Sequence, residues 1–465
     1  MKTYDSGSFR DPSGRVFYYQ DDIFREIFLT GLSKFEFLKK NNLLNDLIKA
    51  NYLIYTEELN TNDTEKLKSK NDSIIIKHEK LNYISYPYEW TFNQLKDAAI
   101  FHLDLQLFLL EKGAKLIDAS AYNIQFKNHT PIFIDTLSID EYNEGEFWFA
   151  HKQFCENFLN PLILTSKTGI NFNNWFKGNL EGITSSDLYS VLKFKDFFNP
   201  TIFFQVFLLH KLDQKAKKNP NEVNRKIKKS KGLSKSAFKY MLLKLKNFIS
   251  KLELKKQITT WDKYSKQNTY SEDEDKKKIA AIEAFLNKNN KFKLLADLGC
   301  NDGKFSRLAI KNKVENVIGF DFDLNVLNRN YLHSKKNNEN ILPLYLDFTN
   351  PSSNLGWYDK ERKSFIKRAK FDCIFALALI HHLVIAKNIP LTQVLKLLVS
   401  LAPTGIIEFV PKEDPTSQFM LSLKGDIFPD YNEDNFKKEL SKIAKITKIT
   451  TVSSTERRIY EYTSL

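Results

Sequence analysis

Three acids in the second half of the chain each close an apolar run. Asp297 ends the run Leu294, Leu295, Ala296 and leads into Leu-Gly-Cys-Asn-Asp-Gly303; Asp321 ends Asn316-Val-Ile-Gly-Phe; Asp347 ends Ile341-Leu-Pro-Leu-Tyr-Leu. Strand, tight turn and helix start together make a place where backbone can approach a ligand closely. Gly299 and Gly303 supply turn positions that a Cβ would obstruct. Asn301 stands where a third Gly would be expected, and Asn tolerates left-handed angles better than most residues. Asp321, about 20 residues past the turn, is placed to accept from both hydroxyls of a ribose diol. Asp347 can accept from an exocyclic amine such as that of adenine, and Phe348 offers an apolar ring contact. His381 and His382, just past a fourth apolar run, titrate near neutrality and are candidate general bases. The competing reading packs one of them and bonds the other to a backbone carbonyl. Tyr264, Tyr270 and Glu408 are weaker candidates for the acceptor side.

The elements that must position these residues alternate strand and helix. Strands are expected at 294–297, 316–321, 341–347, 371–376 and 404–410, with two more in the tail at 445–451 and 457–462. A helix is expected over about 276–287, with Ser271 and Glu274 at capping-box spacing slightly before it. Such alternation implies a parallel sheet with right-handed crossovers.

With three strand tips carrying ligand-binding types, residues 258–465 resemble a class I S-adenosylmethionine (SAM)-dependent methyltransferase. Asp297-Leu-Gly-Cys-Asn-Asp-Gly303 matches the first motif, Gly319-Phe-Asp321 the second-strand acid, and Asp347-Phe348 the adenine-side motif. Residues 371–383 resemble the fourth-strand region lining the methyl-transfer site, and Leu401-Ala-Pro-Thr-Gly405 the turn before strand five, with Thr404 replacing a Gly. The resemblance implies a Rossmann-like seven-stranded sheet, the last strand antiparallel. It implies SAM as cofactor, held by Asp297, Gly299, Cys300, Asn301, Gly303, Asp321, Phe322, Asp347, Phe348 and Leu377, with His381 and His382 on the catalytic side and no metal. The G-x-G-x-x-G of nicotinamide enzymes is absent. So are the Pro-Pro-aromatic signature of amino-directed nucleic-acid enzymes and the Pro-Cys of cytosine-C5 enzymes.

The first half reads as α+β. A turn-rich start leads into 15–19; 23–28 suits strand or helix; 33–50 is helical by pattern; 73–77 and 81–85 read as strands. Thr91 caps a long helix that Gly113 stops, and a hairpin follows around 128–130, closed by Asp135. Asp118, Asn123 and Asp135 have the spacing of a protein-kinase catalytic loop and metal-binding Asp, so residues 7–160 resemble a degenerate protein-kinase-like lobe. Leu116-Ile117 replaces His-Arg, Thr136-Leu137 replaces Phe-Gly, no Gly-rich phosphate loop is legible, and no ATP-pairing Lys can be assigned. An ordinary hairpin with acidic turn caps stays open beside this reading.

At 465 residues, 42% hydrophobic and 14% aromatic, the chain is globular and too long for one core. The expected plan is an N-terminal accessory domain at 1–210, a basic helical connector at 211–257 and a methyltransferase domain at 258–465. Cys155, Cys300 and Cys373 are widely spaced, which suits free thiols in a reducing cytoplasm. With no apolar run of membrane-spanning length and no apolar leader, a cytoplasmic location is expected. The net charge of +14 follows a Lys-rich composition more than a dedicated polyanion site. The expected function is methyl transfer from SAM to an acceptor that the sequence does not identify, among small molecules, lipid or glycan precursors, and proteins. The alternatives are a bifunctional protein with a phosphotransferase lobe, and a basic nucleic-acid-binding protein on a methyltransferase fold.

Overall fold

The computed structural model describes residues 2–59, 64–70, 72–220, 232–255, 271–289 and 292–465. The chain forms two compact units: Met1–Gln257 with Asn354–Arg362, and Ile258–Ser353 with Lys363–Leu465.

The first unit opens with an antiparallel sheet of β1 (Thr3–Tyr4), β2 (Gly14–Tyr19), β3 (Asp22–Ile27), β4 (Thr56–Glu58) and β5 (Ile74–His78), in the order β1-β2-β3-β5-β4. The ambiguous 23–28 segment is a strand because β2 and β5 pair with it on both sides, and Phe17 stacks on Phe24 at 5.4 Å. The expected 33–50 helix is two helices, Leu29–Lys40 and Leu43–Lys49, parted where Asn42 takes φ +53°. Residues 81–85 are not a strand. The Gln125 side chain takes both backbone groups of Ser85, each at 3.0 Å, in place of a ladder. Thr91 and Gln94 form a capping box at the head of the Phe92–Glu111 helix, and Gly113 follows its end at φ +72°. Next, β6 (Ala114–Leu116) pairs with β9 (Ile139–Glu141), and β7 (Ile124–Lys127) forms the expected hairpin with β8 (Thr130–Phe133). The basic helix Lys235–Ser250 lies within this unit. It buries Phe238, Leu242, Leu245 and Ile249 and ties Lys246 to Asp104 on the Phe92–Glu111 helix at 2.5 Å.

The second unit is a seven-stranded sheet of β10 (Leu294–Leu298), β11 (Asn316–Asp321), β12 (Ile341–Tyr345), β13 (Cys373–Ala376), β14 (Thr404–Phe409), β15 (Ala444–Thr451) and β16 (Arg458–Ser464). Their order is β12-β11-β10-β13-β14-β16-β15. The first five pair in parallel, and β16 runs antiparallel to both β14 and β15. This is the Rossmann-like α/β architecture expected for the second half. The helix before β10 spans Glu272–Lys288, and Ser271 is its N-cap in a full capping box with Glu274. The cap therefore sits at the helix start, and four acids occupy the first turn, where they face the positive end of the dipole. Ile282, Phe285, Leu295, Val317, Phe375 and Ile406 belong to the apolar core on this face of the sheet.

Candidate active site

The strand order turns outward from β10 to β12 and returns to β13 beside β10. The crevice at the carboxyl ends of β10 and β13 is therefore the switch point where open α/β sheets take ligands. Asp297 lies in β10, Asp321 ends β11, Asp347 follows β12 and Leu377 follows β13, so neighbouring strands bring all four to one sheet edge.

The turn after β10 is fixed from below. The Gly299 and Cys300 N–H groups donate to the Phe320 carbonyl at 2.8 and 2.9 Å. Gly299, Asn301 and Gly303 all take positive φ, at +79°, +49° and +84°, so Asn fills a left-handed position. At Gly303 a Cβ would lie 2.5 Å from the Asn330 Oδ1, whereas at Gly299 it would meet only Leu379, at 3.5 Å. A Cβ at Gly319 would press on the Cys300 Sγ at 2.9 Å, which places that thiol against β11.

Asp321 is buried, and its carboxylate oxygens accept the backbone N–H groups of Asn301 and Asp323, both at 2.9 Å, with the Phe322 N–H as a further backbone donor. Burial raises its pKa above the ordinary carboxylate value against those donors. Phe322 follows with its ring half in solvent. Asp297 is buried beneath the turn and accepts from the Ser306 Oγ at 2.6 Å. Burial, with the nearby Asp321 charge, pushes it up to about 6. Asp347 folds back with one oxygen, accepting from the Thr349 N–H and Oγ1 at 2.8 and 2.6 Å, and Phe348 packs edge-on to Phe365 at 6.4 Å.

Beyond β13 the chain turns through Ala378, a non-glycine at φ +51°, a sparsely populated conformation that costs free energy. His381 is buried, with no hydrogen-bond partner for its Nδ1 among the described residues, and its ring centre is 4.2 Å from that of the less buried His382. Burial lowers both: His381 well below the ordinary imidazole value, and His382 to about 4, with the Arg457 charge adding to it. Two buried ion pairs flank this region, Lys278 with Glu408 at 2.7 Å and Arg457 with both Asp414 oxygens at 2.6 and 2.8 Å. Glu408, expected on the acceptor side, is thus fully buried and paired. Tyr264 and Tyr270 lie outside the described residues.

The sequence patterns did not single out Asp323. Asp323 caps the Leu324–Asn337 helix with Oδ1, while its buried Oδ2 has no hydrogen-bond partner among the described residues. The N-cap position before an apolar-periodic run was the signal that could have found it.

In the first unit, Asn123 Nδ2 donates to the Asp118 Oδ2 at 3.0 Å and lies 3.5 Å from the Asp135 Oδ2. Arg25, on β3, donates to the Asp135 Oδ1 at 2.5 Å and also pairs with Asp11. Burial raises the Asp118 carboxyl. Burial would raise Asp135 as well, but Arg25 and Ser138 outweigh it and hold that carboxyl below its usual range. No sequence pattern marked Arg25, the one cation of β3.

No family model matches the chain. Over 459 residues it is 40% identical to the nodulation protein NoeA of Rhizobium meliloti (strain 1021), covering 98% of this chain and 95% of that protein. Solved structures similar to it include magnesium protoporphyrin IX methyltransferase (ChlM) from Synechocystis PCC 6803 with bound SAH, at 19% identity over 45% of this chain and 90% of that one, TM-score 0.30. They also include N-methyltransferase NodS from Bradyrhizobium japonicum WM9, at 9% identity over 42% and 98%, TM-score 0.31. A third is the bifunctional kinase-methyltransferase WbdD, at 17% identity over 47% and 45%, TM-score 0.30.

Proposed function

The chain belongs to the family of the nodulation protein NoeA, and from that premise we propose that its second unit is a class I SAM-dependent methyltransferase. One observation carries the reading: Asp297, Asp321 and Asp347 stand at the ends of adjacent parallel strands around a left-handed turn at the switch point of the sheet. The residues fit the cofactor. The Asp321 carboxylate takes backbone donors from Asn301, Asp323 and Phe322, and with about four acceptor sites it keeps capacity for a ribose hydroxyl. Asp323 keeps a buried oxygen without a partner among the described residues, and Gly299 leaves room above the turn.

When bound, SAM supplies a methyl group already activated by the positive sulfur. The protein's task is then largely alignment. Asp321 holds the ribose hydroxyls, Asp347 and Phe348 the adenine side, and Phe322 covers the nucleoside. Gly299, Cys300, Asn301 and Gly303 bring backbone close, Asp297 supports that turn through Ser306, and Leu377 excludes water. His381 is a packing residue, whereas His382, less buried, is the group that takes a proton from the acceptor. An imidazole with its pKa near 4 is neutral but weakly basic at pH 7. It suits a neutral nucleophile that sheds its proton late, and the acceptor is sought among small molecules, lipid or glycan precursors, and proteins with such a group.

The test is SAM affinity by calorimetry. Asp321→Ala weakens binding by about tenfold to a hundredfold, the worth of hydrogen bonds to a charged group. Unchanged affinity in a folded variant removes the assignment. Methyl-labelled SAM with fractionated extract then identifies the acceptor.

A second reading rests on the convergence of Asp118, Asn123 and Asp135, the polar set of a kinase-like phosphotransfer site. Calorimetry with ATP and magnesium tests it: binding lost in Asp118→Asn and Asp135→Asn supports a bifunctional chain, and no binding to the intact chain removes it.

A further inference from the structure

In the first unit, Pro200–Ile202, Phe203–Leu208 and Leu209–Lys218 run on as one helix with a π turn in its middle. One side is committed to the fold, since Ile202, Val206 and His210 are buried. On the other side Phe203, Phe204, Leu208 and Leu212 are exposed, and Lys211, Lys215 and Lys218 continue the exposed surface toward the helix end. The short Phe194–Phe198 turn packs beside it through Phe197 and Phe207, whose ring centres are 6.0 Å apart. That turn adds the most exposed large side chains of the patch, Phe194 at 82% and Phe198 at 76%, with Lys193 before them and Lys195 between. Folded surfaces seldom gather this much apolar area without a partner.

Charge decides which partner. The acids within the patch are engaged: Asp213 pairs with Lys152 at 3.1 Å, and Asp196 accepts the Lys193 backbone N–H at 2.9 Å. What faces outward is phenylalanine and leucine bordered by lysine, with the Lys211 Nζ 5.6 Å from the Phe207 ring centre so that its stem lies along apolar surface. A second copy of the chain would bring these lysines against themselves across a two-fold axis, which like charge opposes. An anionic bilayer offers the complement: acyl surface for the protruding rings and phosphate charge for the lysines. Among the described residues no helix is long and apolar enough to cross a membrane, so contact of this kind lies in the interface plane.

We propose that the 194–218 surface docks the protein on an anionic lipid bilayer, the phenylalanines entering the headgroup region and the lysines reading its charge.

The experiment is flotation of the full-length protein with phosphatidylcholine vesicles, with and without about a third phosphatidylglycerol, and with Phe194→Ser/Phe198→Ser and Lys211→Glu/Lys215→Glu variants. SAM affinity and circular dichroism serve as controls of folding. The proposal expects binding to the anionic vesicles only, reduced about tenfold or more by either pair of substitutions and weakened by salt. Equal binding to both vesicle types overturns it. So does anionic binding that the Phe pair leaves intact, which would belong to basic residues elsewhere. Concentration-dependent dimers that the Phe pair abolishes, without vesicle binding, assign the surface to a second copy instead. Salt-sensitive RNA binding lost with the lysine pair, again without vesicle binding, assigns it to nucleic acid.

Discussion

Asp297 illustrates how a side chain can support a turn from below. Its carboxyl is buried below the turn and bonded to Ser306, and burial pushes its pKa up to about 6. An unfolded Asp titrates near 3.9, so between about pH 4 and 6 the folded state holds a proton that the unfolded state has lost. Stability therefore falls as pH rises through that window, and above it the ionised carboxylate costs about 1–3 kcal/mol. Asp297→Asn keeps the shape and an acceptor for Ser306 but cannot ionise. Without cofactor, its melting temperature relative to the wild type should climb by about 3–6 °C from pH 4 to pH 7. Other titrating groups cancel in that difference. A difference that stays constant with pH would remove the assigned ionisation. The same residue argues for separating support from contact: Asp297→Asn should weaken SAM far less than Asp321→Ala does.

The turn between β10 and the Lys304–Lys311 helix needs its two glycines for different reasons. At Gly303 an added Cβ meets the Asn330 side-chain amide at 2.5 to 2.7 Å, and Asn330 is itself buried and accepts from Ser334 at 3.3 Å, leaving little room to yield. At Gly299 only Leu379 is near, so the cost is the left-handed backbone, about 1 kcal/mol. Gly303→Ala is expected to destabilise by about 2–4 kcal/mol and Gly299→Ala by about 1 in urea unfolding; the reverse order would show that the Asn330 contact is not limiting. Strand two, 316–321, was legible to the residue because its apolar run is bounded by a polar start and a terminal acid, and the two tail strands were legible to within two residues at each end. Ala378 was not legible, since nothing about an alanine announces a positive φ that only the surrounding packing imposes. The 81–85 segment misled for a related reason: its local pattern suits a strand, but the Gln125 side chain supplies its backbone partner from 40 residues away. Asp118, Asn123 and Asp135 were legible by spacing, whereas Arg25 depends on a tertiary pairing.

At the scale of the whole chain, the sequence suggests one continuous C-terminal domain from 258 to 465, but Asn354–Arg362 is part of the first unit. Its anchor is Glu361, nearly buried, which accepts from the Arg10 Nε and Nη2 at 2.9 and 3.1 Å and from the Trp357 N–H at 3.1 Å. Leu355 and Arg362 close the segment through paired backbone bonds at 3.0 and 2.9 Å, and the Arg362 guanidinium lies 4.1 Å from the Tyr122 ring centre. The Arg10–Glu361 pair has no local signature, because its partners are 351 residues apart in the chain. Burial would raise the Glu361 carboxyl, but Arg10, the Trp357 N–H and Arg362 outweigh it and hold it below its usual value. A depressed carboxylate contributes stability above the unfolded pKa and loses it as pH falls through the folded one. Glu361→Gln should therefore lower the stability of the first unit by about 1 kcal/mol at pH 7, a modest figure because Arg10 is more than half exposed. That deficit should begin to shrink only as pH falls below the ordinary Glu value of about 4.3, and vanish once pH has passed through the lower folded value, where the wild-type carboxylate is protonated too. Arg10→Gln should reproduce the effect, and the double variant should cost no more than either alone, as expected when both remove one interaction. Additive losses, or a deficit that persists in acid, would place the anchor of Asn354–Arg362 elsewhere, leaving the Tyr122–Arg362 stack as the contact to remove next.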